Sequence, residues 1–521
     1  MPPPDTVGRG AGASRRACLH AASTGAAALL YMSVAFSGPD PRASTPTGPG
    51  DLGRAHIPAP ELAPTGDWRR ERFLGEIEEG DALAAQGNLG EALKRYQVAQ
   101  SAMKKLAASR PGNAQWQHDL SVTDIKIGDT LVAQDNVSAA LESYQASLAI
   151  MGKLAASEPA RTDWQYDLSI SQERTGGSLA AQGNWNAALE NHLAASRIRQ
   201  TLAAASPGNS VWQSALFFSD LELGDTLTAL GDLAQALKSY QASVGIGQKH
   251  ATSGPASAEW QHDLSIAEHK VGDTLTALGD VTEAQKSYQA SLAIREKLAA
   301  SNPGLSAHLQ QDLAVYDTKI GDTLTAQGDL AGALRSYQAS LTTVQTLATS
   351  DPTNTQWQRA LAVFGNKIGG TLTAQGDLAG ALKSYQASLT TVQALAASDP
   401  ANTEWQRDLS VSQEKMGDTL SAQGDPVGAL RSYQASLAIR QKLTASDSAK
   451  LQWLTDLVVT YWKLGSLDVD TISKAERSKW LNTALQLTQK LQGEGRLSKT
   501  QQAWPGMLKQ ALQELDKLPD D

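Results

Sequence analysis

The chain has a single cysteine, Cys18, among 521 residues. That excludes an intrachain disulfide, a thiolate-rich zinc site and an iron–sulfur cluster held by cysteines alone. Phenylalanine is scarce too, 5 residues against 12 Trp and 11 Tyr, which is an odd balance for a mixed core. Basic residues are in deficit: 45 Lys plus Arg face 54 Asp plus Glu, for a net charge of −9. A chain so balanced lacks the basic face that wraps nucleic acid or coats an anionic membrane. No glycine-rich phosphate loop is present, because the glycines stand singly, without a preceding strand or a following Lys-Ser/Thr pair. Gly-Asp pairs such as Gly321-Asp322 and Gly328-Asp329 lack the alternating oxygen ligands and the closing Glu of a calcium loop. His262, Asp263 and His269 put two imidazoles on one helix with no third ligand in view. No catalytic constellation, metal site or cofactor is therefore read from the sequence.

What is present is repetition. Eight tryptophans, Trp68, Trp116, Trp164, Trp212, Trp260, Trp357, Trp405 and Trp453, recur every 48 residues or a near multiple, with Leu309 in the one vacant slot. A tyrosine ladder (Tyr96, Tyr144, Tyr240, Tyr288, Tyr337, Tyr385, Tyr433, with His192 in the missing rung) and a glycine ladder (Gly80, Gly128, Gly176, Gly224, Gly272, Gly321, Gly369, Gly417) keep the same period. Such self-similarity marks a stacked array. Each unit reads as two helices. In the eighth, Asn402-Thr403 caps a helix carrying Trp405, Leu409, Met416 and Leu420. Gly424-Asp425 breaks it, and Pro426 opens a second helix with Leu430, Tyr433, Leu437 and Leu443 on its apolar stripe. Gly417 would allow close helix approach, Ala429 keeps the opposing contact small, and Tyr433 fills the space beside it. Such a pair buries both faces only by stacking. The Trp ladder is expected to seal each pair against the preceding loop; the rival reading is a row of stacking platforms for sugars or bases.

These units resemble the tetratricopeptide (TPR) repeat family, whose 34-residue unit carries Trp-x2-Leu-Gly-x2-Tyr, then Ala-x3-Phe, then Pro. Met416-Gly417 stands at the Leu-Gly pair, Leu420 at the Tyr, Ala429 at the Ala and Tyr433 at the Phe, while Gln413 replaces the family's Trp. The unit here is longer, which is most simply explained by extra turns on both helices. The resemblance implies an all-α fold, an α-solenoid of about eight to nine stacked helix-turn-helix repeats forming a right-handed superhelix. It implies a non-enzymatic scaffold that binds a protein or peptide partner on its concave, first-helix side. Alternatives are a sensor or self-assembling regulatory module acting with a separate effector, and a carbohydrate-binding solenoid.

The expected organisation is an export segment over 1–37, a Pro/Gly-rich linker over 38–66, the solenoid over 67–465 and capping helices over 466–521. Arg9, Arg15 and Arg16 precede an apolar stretch from Gly25 to Phe36, and Ser33-Val34-Ala35 offers a small-x-small cleavage pattern. This resembles a secretory signal peptide, with a single membrane anchor as second choice. Ser14-Arg15-Arg16-Ala17-Cys18-Leu19 is also similar to a twin-arginine signal. The repeats are thus expected outside the cytoplasm, with any membrane contact confined to this segment; initiation at Met32 would leave them cytoplasmic.

For the partner, steps of three and four put Val411, Glu414, Asp418 and Ser421 on one helix face. The slot of Val411 is apolar in every unit (Leu74, Val122, Ile170, Phe218, Ile266, Val315, Val363), and the slot of Asp418 is mostly acidic, with Gly177 and Gly370 as exceptions. The slot of Glu414 varies most: Ile77, Ile125, Glu173, Leu221, His269, Thr318, Asn366. The sequence thus predicts a groove with apolar anchors at Phe217, Phe218, Leu221 and Ile266. Specificity is placed at His269, Thr318, Asn366 and Glu414, and an acidic rail at Asp225, Asp273, Asp322 and Asp418 favours a basic or hydroxyl-rich ligand. The bland alternative pairs these aspartates with lysines one turn earlier, as Lys319 with Asp322 or Lys415 with Asp418. The Lys and Asn that clamp a terminal carboxylate in chaperone-binding members of the family are missing, and Thr323 to Leu334 is identical to Thr371 to Leu382, so neighbouring units cannot differ there.

Overall fold

The computed structural model of the protein describes residues 68–251, 257–301 and 306–518. The export segment at 1–37 and the linker at 38–66 lie outside the described residues. Within them the secondary structure is helical, without a strand. The helices group into two compact bodies, one ending at Leu309 and the other beginning at Gln310.

The first body pairs α1 (Trp68–Ala85) with α2 (Leu89–Ser109), α3 (Ala114–Ala133) with α4 (Val137–Ser157), α5 (Thr162–Ala181) with α6 (Trp185–Ala205), α7 (Ser210–Leu230) with α8 (Leu233–His250), and α9 (Ser257–Leu278) with α10 (Val281–Ser301). Helix α11 (Ser306–Gln327) crosses the boundary. The second body continues with α12 (Leu330–Ser350), α13 (Thr355–Gln375), α14 (Leu378–Ser398), α15 (Thr403–Ala422), α16 (Pro426–Ser446), α17 (Leu451–Ser466), α18 (Lys474–Gly493) and α19 (Trp504–Asp516). Inside each body, helices pack against their neighbours in chain order. Each body is an all-α solenoid of TPR-like helix pairs.

Local chemistry fixes the helix ends. Asn113, Asn209, Asn354 and Asn402 accept hydrogen bonds from the amides of Trp116, Trp212, Trp357 and Trp405, so the side chain before each first helix supplies an acceptor to an otherwise orphaned donor. Asp425 caps α16 by accepting from Gly428 N at 2.8 Å, with Pro426 in its first turn. Gly424 takes a φ of +81° to end the preceding helix.

The glycine, alanine and tyrosine ladders form one contact. Ala92, Ala140, Ala188, Ala236, Ala284, Ala333, Ala381 and Ala429 are fully buried. A Cβ added at Gly417 would stand 2.6 Å from Cε1 of Tyr433, so the ring lies flat against the glycine and no larger residue fits without displacing it. Of the ladder tryptophans, Trp116, Trp164, Trp260 and Trp453 are buried, while Trp212, Trp357 and Trp405 are half-buried. Loop cations cover several of them: the Arg161 guanidinium lies 3.8 Å from the Trp164 ring centroid and the Lys450 ammonium 4.2 Å from that of Trp453. An open row of stacking platforms is not what these rings form. At the C-terminal end, Trp462, Leu481, Trp504, Leu508 and Leu515 make a separate apolar cluster over the last repeat.

Candidate binding face of the first helices

The acidic slot is occupied by a clasp. In repeat after repeat the tyrosine hydroxyl of the second helix donates to the aspartate of the first at 2.6 Å: Tyr96 to Asp81, Tyr144 to Asp129, Tyr240 to Asp225, Tyr288 to Asp273 and Tyr337 to Asp322, with Tyr433 to Asp418 at 2.8 Å. A cation from the next repeat closes on the same carboxylate: Lys126 on Asp81 at 2.7 Å, Arg174 on Asp129 at 3.0 Å, Lys270 on Asp225 at 2.7 Å, Lys367 on Asp322 at 2.6 Å and Lys463 on Asp418 at 2.7 Å. Burial and the adjacent carboxylate push the phenols of Tyr96, Tyr240 and Tyr433 well up, so they stay donors. Asp225, Asp322 and Asp418 are therefore no free rail. The cations of Asp322 and Asp418 come from the following repeat, 45 residues on, and tie repeat to repeat.

A second ladder binds the outer ends of the first helices. Arg70 meets Asp119 at 2.6 Å with both side chains buried, His118 meets Asp167 at 2.6 Å, Arg359 meets Asp408 at 2.6 Å and Arg407 meets Asp456 at 2.8 Å. Although burial opposes its charge, the neighbouring carboxylates of Asp119 and Asp167 raise His118 to about 9, so His118 acts as a cation in this ladder.

The variable slot is interior in five of the eight repeats, and half-buried at His269, Thr318 and Asn366. Ile77, Ile125, Glu173, Leu221 and Glu414 are buried, and both glutamates meet the residue 26 positions later on the second helix. Reading these pairs along the chain gives Ile77/Met103, Ile125/Met151, Glu173/Arg199, Leu221/Gly247, His269/Arg295, Thr318/Val344, Asn366/Val392 and Glu414/Arg440. An apolar member has an apolar or absent partner, and both glutamates have an arginine. Glu173 pairs with Arg199 and Glu414 with Arg440. The arginines also donate to a serine one repeat position inward, Arg199 to Ser169 at 3.0 Å, Arg295 to Ser265 at 2.6 Å and Arg440 to Ser410 at 3.2 Å. Against the upward push of burial, Arg440 and Lys463 hold the Glu414 carboxyl down to about 2. Variation in this slot is answered inside the protein, so it carries no ligand code at Leu221 or Glu414. Asn366 donates to Ser412 at 2.9 Å and Thr318 to the Ala314 carbonyl at 2.6 Å, while His269 lies tilted on the Tyr288 ring.

Phe217 is also removed from the face. It is fully buried, packs edge-on to Phe218 and Trp260, and occupies the space that Gly247 leaves open: a Cβ at Gly247 would come within 3.2 Å of the Phe217 ring. The sequence signal for this was available, since the slot of Phe217 is Ser or Ala where its partner is Arg or Val. What remains on the face is the slot of Val411. Val122 and Ile170 are buried there, Leu74, Phe218, Ile266 and Val411 are half-buried, and Val315 and Val363 are 41% and 38% exposed. Sequence reasoning treated the slot as uniform and missed this opening in the second body.

Among the described residues, no group of three or more His, Cys, Asp or Glu is arranged to hold a metal ion, and no helix is long and apolar enough to cross a membrane. Burial lowers His262 to about 4 and raises Asp263 to about 7.

No protein-family model and no curated protein matches the chain. Among solved structures it is similar to BtubC (BKLC) from P. vanneervenii, at 18% identity over 49% of this chain and 91% of that one, with a TM-score of 0.37. It is also similar to the C-terminal part of a TPR repeat-containing protein from Cytophaga hutchinsonii, at 14% identity over 64% and 99% of the two chains and a TM-score of 0.38. A third similar structure is pilF of Pseudomonas aeruginosa, at 14% identity over 56% and 97% and a TM-score of 0.33. The repeat architecture rests on this chain's own helix pairing, which these likenesses accompany.

Proposed function

We propose that the protein is a non-enzymatic TPR-like scaffold that holds a protein or peptide segment on the face of its first helices, and that it works outside the cytoplasm. The observation that carries the binding reading is the apolar slot of Val411. It is filled by an apolar side chain in every repeat, yet at Val315 and Val363 that side chain is exposed rather than spent on the stack. A regularly spaced apolar line framed by paired charges suits an extended or helical segment better than a small ligand. The test is capture of partner protein on the immobilised full chain. Val315→Lys/Val363→Lys should cut recovery at least fivefold, whereas Val98→Lys, on the exposed side of a second helix, should not. Equal recovery by all three proteins would overturn the reading.

Export rests on the sequence of residues 1–37. N-terminal sequencing of the mature protein tests it: a start beyond residue 30 in a fraction outside the cytoplasm is expected, and an intact start at Met1 in the cytoplasmic fraction would refute it.

A further inference from the structure

One clasp is missing and reversed. At the junction of the third and fourth repeats the aspartate slot is Gly177, the tyrosine slot is His192, and the cation slot of the following repeat is Glu222. Nothing lies within 4 Å of the position a Gly177 Cβ would take, so the space an aspartate fills elsewhere is open. The Glu222 side chain is 41% exposed, but its Oε2 is turned inward without a hydrogen-bond partner, as is Nε2 of His192, 3.8 Å away; the His192 side chain is 4% exposed and its Nδ1 is bonded to the Thr226 hydroxyl at 2.8 Å. The neighbouring cations are committed: Arg174 to Asp129 and Glu173, Arg199 to Glu173, and Lys270 to Asp225. No lysine or arginine forms an ion pair with Glu222, although Arg174 and Arg199 lie near enough to act on it. The seventh repeat also lacks its aspartate, at Gly370, but keeps Tyr385 and Lys415 in the other two slots, whereas here the cation slot itself is a carboxylate.

We propose that the junction of Gly177 and Glu222 is a receptor for a lysine or arginine side chain of the bound segment, which completes the broken clasp in trans. This rests on the reading of the first-helix face as the binding face. Phe218 lies one turn before Glu222 on α7, and Ile170 and Ile266 hold the same slot on the flanking first helices, so the alkyl stem of a lysine or arginine has apolar company while its head reaches the carboxylate. Burial of the carboxyl, with Glu173 near, pushes Glu222 up to about 8, while burial lowers His192. Both groups are thus pushed toward their neutral forms and make no ion pair of their own, and a cation brought to Glu222 would favour its carboxylate. The remaining charged group facing the pair, Asp225, is held by Tyr240 and Lys270.

The experiment presents the full chain with fluorescent random decapeptide pools whose central residue is fixed as Lys, Arg, norleucine or Glu, and reads binding by anisotropy. The Lys and Arg pools should bind at least tenfold more tightly than the norleucine and Glu pools. Glu222→Gln should reduce that preference to within twofold. The triple variant G177D/H192Y/E222K, which builds in the clasp of the other repeats, should abolish the preference without lowering the melting temperature, so that loss of binding cannot be loss of fold. Wild-type binding without a basic preference, or a preference that survives Glu222→Gln, overturns the inference and leaves the binding face standing. Failure of the wild type to bind any pool overturns the binding face itself, and the inference with it.

Discussion

The second and third repeats have nearly the same backbone plan and opposite interiors. In the second, the two slots hold Ile125 and Met151, both buried, and the clasp Asp129, Tyr144 and Arg174 is complete; in the third, Glu173 pairs with Arg199 and the clasp residues are Gly177, His192 and Glu222. The difference separates two kinds of variation. Where a change in one helix is answered by a change in its partner, as from Ile/Met to Glu/Arg, the repeat has altered its core and nothing is offered to a ligand. Where a change leaves a group without its complement, as at Glu222, the protein presents an unfinished interaction.

The largest expected effect breaks the outer ladder entering the second repeat. Asp119→Ala strands Arg70, both side chains being buried, and should lower stability by about 3–5 kcal/mol in urea unfolding. The counterpart entering the third repeat uses His118 on Asp167, which makes that ladder pH-dependent where the Arg70 rung is not. His118 is raised to about 9 in the folded state, so its contribution is full below its unfolded pKa of about 6.5 and is lost as pH rises through about 9. A decline in stability of about 2–3 kcal/mol across that window is expected, and His118→Arg should flatten it. Next in size, Gly128→Ala drives a methyl into the Tyr144 ring and should cost about 1–3 kcal/mol. Gly177→Ala, one repeat on, meets open space in an ordinary helical backbone and should instead add about 0.4–1 kcal/mol. Equal signs for the two substitutions in thermal melts would show that the third repeat lacks the opening ascribed to it.

The fold was legible because it is periodic. Asn402, Gly424 and Pro426 announced helix ends through their own backbone chemistry, and the triad of Gly417, Ala429 and Tyr433 announced close packing in seven of the eight repeats. The face was legible only in part. Projection on one helix placed Glu414 beside Val411 and Asp418 correctly, but which of them meets water depends on α16 and α17: Arg440 and Lys463 reach Glu414 and enclose it, and Lys463 spans Glu414 and Asp418 together. Those contacts lie 26 to 49 residues away, beyond any single-helix pattern. The pairing of glutamate with arginine in the slots of Glu414 and Arg440 was nonetheless present in the sequence, at Glu173 with Arg199 as well. The openness of Val315 and Val363 against the burial of Val122 and Ile170 had no such signal, because the slot reads as apolar in all of them.

The most direct measurement of the central claim, that variation between repeats is settled inside the core, is a double-mutant cycle on Glu173 and Arg199. Glu173→Ile strands the buried Arg199, and Arg199→Met leaves the buried Glu173 with Arg174 alone; each single change should cost about 3–5 kcal/mol. The double variant, which copies the Ile125/Met151 pair of the second repeat, should recover to within about 1 kcal/mol of the wild type or exceed it. Strictly additive losses in the double variant would contradict the claim.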